Sequence, residues 1–188
     1  MELIREDGST CNLPPLPAGR YAHTQSGLTS CGGSGGEFSD CITFSKGQWV
    51  TSHTLSNGRT GLLAWSSHPD GLLLFGGMNR KTELLSTNSS TTQPLFEYTY
   101  HHFHACGIDV PGSDFVITGG HVTDDGDDSG RVVKYSIKGE ATLLPRLQEP
   151  RYHHGCGYYY DQNNVLVSFN IMKLLWIFYT LLTHRHIW

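Results

Sequence analysis

Charge is sparse in this chain. Asp, Glu, Lys and Arg make up 16% of its 188 residues, and the formal net charge is −4. The 13 basic side chains form no cluster, so no polyphosphate-binding surface is expected and nucleic acid is not an expected partner. Lys and Arg are absent altogether from Glu83 to Asp128, which predicts an acidic face able to steer a basic partner. The five cysteines, Cys11, Cys31, Cys41, Cys106 and Cys156, include no C-x-x-C pair, which removes zinc ribbons and fingers. No G-x-S-x-G occurs. Gly32-Gly33-Ser34-Gly35-Gly36 lacks the Lys-Ser/Thr that would make it a phosphate loop. Long hydrophobic runs are missing too. The longest uncharged one, Leu174 to Thr183, is far short of the ~20 residues a bilayer requires, so a membrane anchor is not expected. Met1 to Asp7 has no apolar segment of the kind that marks a secretory signal.

Glycine, in contrast, is abundant, with 22 residues, and it falls in a pattern. Apolar runs end in Gly-Gly at Leu72-Leu73-Leu74-Phe75-Gly76-Gly77 and at Phe115-Val116-Ile117-Thr118-Gly119-Gly120. A weaker copy is Leu28-Thr29-Ser30-Cys31-Gly32-Gly33. The doublets begin at 32, 76 and 119, spacings of 44 and 43. A period of that size marks stacked copies of one supersecondary unit. Short apolar runs closed by glycine read as buried strands with a sharp exit.

A second landmark follows the same ruler. Arg20-Tyr21-Ala22-His23 returns as Arg151-Tyr152-His153-His154, 131 residues or three periods of about 43.7 later. Arg59 holds this place in the second copy. His102-Phe103 holds it in the third, without the Arg. Each complete copy divides into four short strands separated by breakers such as Pro69-Asp70-Gly71, Lys46-Gly47 and Pro111-Gly112. The strands expected are His23–Leu28, one ending at Gly32-Gly33, Cys41–Phe44 and Gln48–Thr51. In the second copy they are Leu62–Trp65, Leu72–Phe75, Thr82–Leu85 and Leu95–Tyr98. In the third they are His104–Ile108, Phe115–Thr118, Val132–Tyr135 and Ala141–Leu144. Four antiparallel strands in 40 to 50 residues describe a propeller blade.

These features resemble the kelch-repeat family, whose blades carry Gly-Gly after the second strand and an aromatic pair on the third and fourth. Gly32-Gly33, Gly76-Gly77 and Gly119-Gly120 match the doublet. Phe44 and Trp49 match the aromatic pair. Leu85 and Phe96 stand there in the second copy, and Tyr135 with Leu143 or Leu144 in the third. The chain is also similar to divergent, Cys-containing kelch proteins of invertebrates. The resemblance covers residues 13–167. It implies an all-β, kelch-type β-propeller of four-stranded antiparallel blades, with about three complete blades and part of a fourth, an incomplete ring. The division is a lead-in at 1–12, blades at 13–55, 56–99 and 100–149, the start of a fourth at 150–167, and an apolar tail at 168–188. In the fourth copy the doublet is due at 168, where Ser168-Phe169 stands. The tail is therefore read as a non-native end rather than a capping helix or an anchor.

Chemistry is weakly marked. Cys31 and Cys41 flank a Gly-rich turn on consecutive strands, which predicts a cross-strand disulfide, and the odd cysteine count leaves at least one free thiol. Asn88-Ser89-Ser90 is a glycosylation sequon in a polar loop. His102 and His104, if on one strand, would share a face and an ion, but no acid lies near enough to complete the shell, and a polar channel lining explains them better. Asp124-Asp125-Gly126-Asp127-Asp128 lacks the EF-hand spacing and reads as a solvated loop rather than a Ca²⁺ site. Arg20, Arg59 and Arg151 recur with the repeat and read as structural, bonding to loop carbonyls or to an acid of a neighbouring blade. Neither a cofactor nor a metal is expected.

The expected function, by analogy with the family, is a non-catalytic protein-interaction scaffold, a fragment of a longer propeller. The alternative is a galactose-oxidase-like or sugar-converting propeller enzyme. An open blade edge predicts self-association. The cysteines and the sequon favour an extracellular site over a cytoplasmic one. If the tail is foreign, an antibody raised against residues 1–167 will detect a native protein about twice the 20.9 kDa of this chain or heavier. A single band at 20.9 kDa would make the tail genuine.

Overall fold

The glycine-closed runs form strands, and the strands form separate antiparallel sheets. The computed structural model describes residues 2–4, 7–34, 38–77, 80–110, 114–121, 130–158 and 166–169. Among these residues there is no helix. The first sheet contains β3 (Thr24–Ser26), β4 (Thr29–Cys31), β5 (Asp40–Ser45) and β6 (Gln48–Thr54). It is preceded by a hairpin of β1 (Glu2–Ile4) and β2 (Thr10–Asn12). The second sheet contains β7 (Leu62–Trp65), β8 (Leu72–Gly76), β9 (Lys81–Leu85) and β10 (Gln93–Glu97). The third contains β11 (Cys106–Val110), β12 (Asp114–Thr118), β13 (Val132–Tyr135) and β14 (Ala141–Leu144). A final pair joins β15 (Gly155–Tyr158) to β16 (Leu166–Phe169). Each four-stranded sheet is a meander in which neighbours in sequence pair in space. The first strands of successive sheets lie side by side: β3 against β7, β7 against β11, β11 against β15.

Several elements differ from the sequence reading. The residues before 13 are not a bare lead-in, because Leu3 pairs with Cys11 in the first hairpin. The stretch from His23 to Leu28 is not one strand: β3 ends at Ser26 and Gly27 turns with φ +54°. The third copy's first strand begins at Cys106, not His104, because His104 has φ +53° and breaks the extended run. Strand β16 continues to Phe169, two residues past the expected limit of the fourth copy, with Ser168 opposite Cys156. Residues 170–188 and Asp124 to Asp128 lie outside the described residues.

The period-two alternation of β8 explains how one sheet serves two cores. Leu73 and Phe75 point to one side and pack with Trp65, Phe115, Ile117, Val133 and Tyr135, between the second and third sheets. Leu72 and Leu74 point to the other side and pack with Cys31, Cys41, Leu62 and Leu85, between the first and second sheets. Leu84 and Leu85 divide in the same way. A strand buried on both faces must read as a continuous apolar run, as this one does. Each fully buried Leu or Phe contributes about 1.5–3 kcal/mol by transfer from water, an upper estimate. Trp65 stacks on Phe115 with centroids 5.3 Å apart, tying the two sheets ring to ring.

The doublets act between sheets. The N–H of Gly33 donates to the Arg59 carbonyl at 2.7 Å, that of Gly77 to the His102 carbonyl at 3.0 Å, and that of Gly120 to the Arg151 carbonyl at 3.0 Å. In each case the acceptor is the landmark residue of the next copy. At the first glycine of the doublet that carbonyl occupies the space of a side chain. A Cβ on Gly32 would lie 2.5 Å from the Arg59 oxygen, and one on Gly76 would collide with the His102 oxygen. Gly76→Ala therefore combines strain at φ +79° with displacement of that carbonyl, and should cost about 3 kcal/mol. Gly47→Ala has a similar φ of +84° but open space around it, and should cost about 1 kcal/mol. Denaturant titration of the two variants checks this. Equal losses would show that the approach of the next copy does not constrain Gly76.

Candidate functional site at the first-strand ends

Each landmark segment enters its sheet through one left-handed residue. Two residues after Arg20, Arg59, His102 and Arg151 stand Ala22, Gly61, His104 and His153, with φ of +52°, +65°, +53° and +49°. Three of the four are not glycine, and each such conformation costs roughly 1–2 kcal/mol. The surrounding bonds hold them there. The Gly61 N–H donates to the Ala22 carbonyl at 2.8 Å, His104 N–H to Gly61 at 3.2 Å, and His153 N–H to His104 at 2.9 Å. A backbone ladder therefore runs across all four copies.

Beside this ladder lies a cavity of about 160 Å³ lined by Ala22, His23, Gly61, Leu62, His104, Ala105 and His153. Its edge is aromatic. His104 stacks near His153 at 3.8 Å between centroids and near Phe103 at 3.9 Å. Tyr152 lies 5.4 Å from His153 and 6.1 Å from His121. Tyr21 and Tyr152, one residue past their landmark arginines, are 67% and 57% exposed. Burial, then the neighbouring His153 and His121, lowers the proton affinity of His104. Burial, then the Arg20 guanidinium, does the same for His23. Neutral imidazoles offer one donor and one acceptor each, so the cavity presents hydrogen-bonding groups framed by π faces.

Beneath the ladder the landmark side chains are structural: all three arginines donate to carbonyls, as expected, whereas the acids they pair with lie elsewhere than expected. Arg20 pairs with Asp40 at 3.2 Å and donates to the Gly32 carbonyl at 3.2 Å. Arg59 pairs with Glu83 at 2.8 Å, both side chains 1% exposed. Glu83 also accepts from the Ser56 N–H at 2.8 Å and from the Thr92 hydroxyl. Both acids belong to the third strand of the arginine's own sheet, not to a neighbouring one. In the third copy a neutral pair replaces the ion pair: His102 Nε2 meets the Tyr135 hydroxyl at 2.8 Å. Burial drives His102 down to about 3 and pushes the Tyr135 phenol up. Arg151 turns to Glu149 at 3.2 Å, while His154 Nε2 meets the Thr118 hydroxyl at 2.9 Å. Burial, then Arg151, lowers His154 to about 4.

The other sequence candidates are scattered. His102 is buried and His104 lines the cavity, so the two share no face. Among the described residues no three His, Cys, Asp or Glu side chains gather as metal ligands. Asn88 is exposed on the turn between β9 and β10. Phe44 and Trp49 face each other across β5 and β6 at 5.3 Å. The equivalence fails in the next two copies. Phe96 brackets Thr82 and packs on Phe75, whereas Leu85 faces the first sheet. Tyr135 pairs with Ala141 rather than with Leu143 or Leu144.

Cys31 and Cys41 are register partners on β4 and β5 and are disulfide-bonded. A second disulfide, Cys106–Cys156, was not foreseen in the sequence and joins β11 to β15. The signal for it was present: the two cysteines follow the His102 and Arg151 landmarks by nearly the same distance, in the first strands of adjoining copies. Cys11 keeps its thiol. Two disulfides suit an oxidising compartment. Among the described residues no helix is long and apolar enough to cross a membrane.

No protein-family profile and no curated protein matches the chain. Among solved structures it is similar to that of YjhT, with a TM-score of 0.72 at 14% identity, covering 87% of this chain and 63% of that one. The chain thus spans less than two thirds of that structure's length, and the likeness concerns fold alone.

The buried imidazoles give stability a definite pH dependence. In the folded protein His102 and His154 stay neutral down to about 3 and about 4, whereas in an unfolded chain they take up protons below about 6.5. The unfolded state binds more protons across that window, so stability falls as pH is lowered from 6.5 towards 4, by at most about 1.4 kcal/mol per pH unit for each group. His102→Gln removes one contribution. Its melting temperature is expected to vary less with pH over this window than that of the parent, and parallel profiles would contradict the burial argument.

Proposed function

We propose that the chain is a section of a kelch-type β-propeller and serves as a non-catalytic protein-interaction module in an oxidising, extracellular setting. The reading of four-stranded blades rests on the meander sheets, on their adjoining first strands and on the likeness to YjhT. The observation that carries the functional part is the rim of the cavity. Tyr21 and Tyr152 expose more than half of their surface at matching positions of the first and fourth copies, one residue before Ala22 and His153 of the cavity wall. Tyrosine combines a rigid apolar body with a polar tip and is enriched where proteins dock. The partner is a protein, engaged by the loops at this end.

A photo-crosslinking residue in place of Tyr152 should capture a discrete partner protein. The same residue in place of Leu143, 59% exposed on the outer strand β14, should not. Tyr152→Ala should weaken binding of the captured partner by about tenfold or more. Equal capture from both positions would place the binding surface elsewhere. Copper held in stoichiometric amount by the purified protein would replace this reading with a metal-dependent oxidase.

A further inference from the structure

The two disulfides occupy unlike places. Cys31–Cys41 lies within the first sheet, its cysteines 1% and 0% exposed and packed among Leu55, Leu62, Leu74 and Leu85. Cys106–Cys156 lies between two sheets, and both its cysteines are only half-buried. It closes a loop of sequence separation 50, against 10 for the other. Hydrogen bonds that tie the segment before β15 to the third copy include the Gly120 N–H to the Arg151 carbonyl, the His153 N–H to the His104 carbonyl, and the Thr118 hydroxyl to His154, and the rings of His153 and Tyr152 lie against those of His104 and His121. The disulfide is the covalent member of this set. It sits three residues after His153, which forms part of the cavity wall.

We infer that Cys106–Cys156 is a thiol-exchange site that clasps the β15–β16 hairpin, and with it His153, to the third sheet. The reactant is a small-molecule thiol. Its thiolate attacks one of the two sulfurs, the Cys106–Cys156 bond breaks, and a mixed disulfide forms. The other cysteine leaves as a thiolate and takes a proton from water. A second thiol then resolves the mixed disulfide. Two electrons have passed to the protein, which holds two thiols, and the reductant leaves as its own disulfide. The buried pair is shielded from the same attack, because access to the sulfur limits exchange. Once reduced, β15 loses its covalent tie to β11, and the His104–His153 side of the cavity loosens. The geometry of the two disulfides carries this inference, which does not depend on the proposed function.

The test is graded reduction of the full chain with glutathione under native conditions, followed by alkylation and peptide mass spectrometry, with Cys11 as the thiol labelled from the start. Cys106 and Cys156 are expected to become labelled at least roughly tenfold faster than Cys31 and Cys41, since local opening precedes global unfolding. Hydrogen exchange on the same samples should quicken at residues 153–158 while β7 to β9 stay protected. Simultaneous release of all four thiols, or earlier release of Cys31 and Cys41, would overturn the assignment. So would selective reduction that leaves exchange at 153–158 unchanged. The double variant C106S/C156S should show the fast exchange without reductant, and parent-like protection in it would likewise remove the clasp.

Discussion

One hydrogen bond, repeated, sets the arrangement of the sheets: the N–H of the second glycine in each doublet donates to the landmark carbonyl of the next copy. The bond forms only if that carbonyl approaches the doublet where any side chain would stand, as the space around Gly32 and Gly76 shows. The glycines are therefore joints between sheets and not merely strand ends. With the joint in place, the first strands adjoin, and the two faces of β8 each find a core. A buried backbone donor without its acceptor is costly, so a copy cannot slide along its neighbour without losing both bond and packing.

The same joint places the ladder of left-handed residues. At Arg59 and His102 the landmark carbonyl is fixed by the preceding doublet and the side chain by its own sheet, through Glu83 or Tyr135; Arg20 keeps the second anchor, through Asp40, and Arg151 the first. Past these anchors the chain turns sharply within two residues, at Ala22, Gly61, His104 and His153, although only one is glycine. Backbone strain of this kind persists where its surroundings over-determine it. Its consequence is a cavity edged by imidazole and phenol groups whose positions follow from the repeat.

The copies are equivalent in backbone and divergent in chemistry. A partly buried and then a fully buried Arg–carboxylate pair in the first two copies give way to a neutral His–Tyr pair in the third. Both solutions satisfy a buried polar position, the first with charge and the second without the desolvation of an ion pair. The cysteines diverge likewise: one pair staples strands within a sheet, the other staples sheets to each other.

The sequence by itself determined the repeat, its period and most strands. Leu62–Trp65, Val132–Tyr135 and Ala141–Leu144 lie where the pattern puts them, because alternation and glycine punctuation are local signals that backbone sterics enforce. The register of landmarks also gave the places of Ala22, Gly61, His104 and His153, though not their left-handed turns. Only the tertiary structure decided that His104 stands in a turn while His102 is buried against Tyr135. It alone decided that Phe96 and Leu85 face opposite cores and that Arg20 and Arg59 pair with acids within their own sheets. Each of these depends on which surfaces of distant segments are brought together, and a periodic pattern specifies the spacing of such surfaces without specifying their contacts.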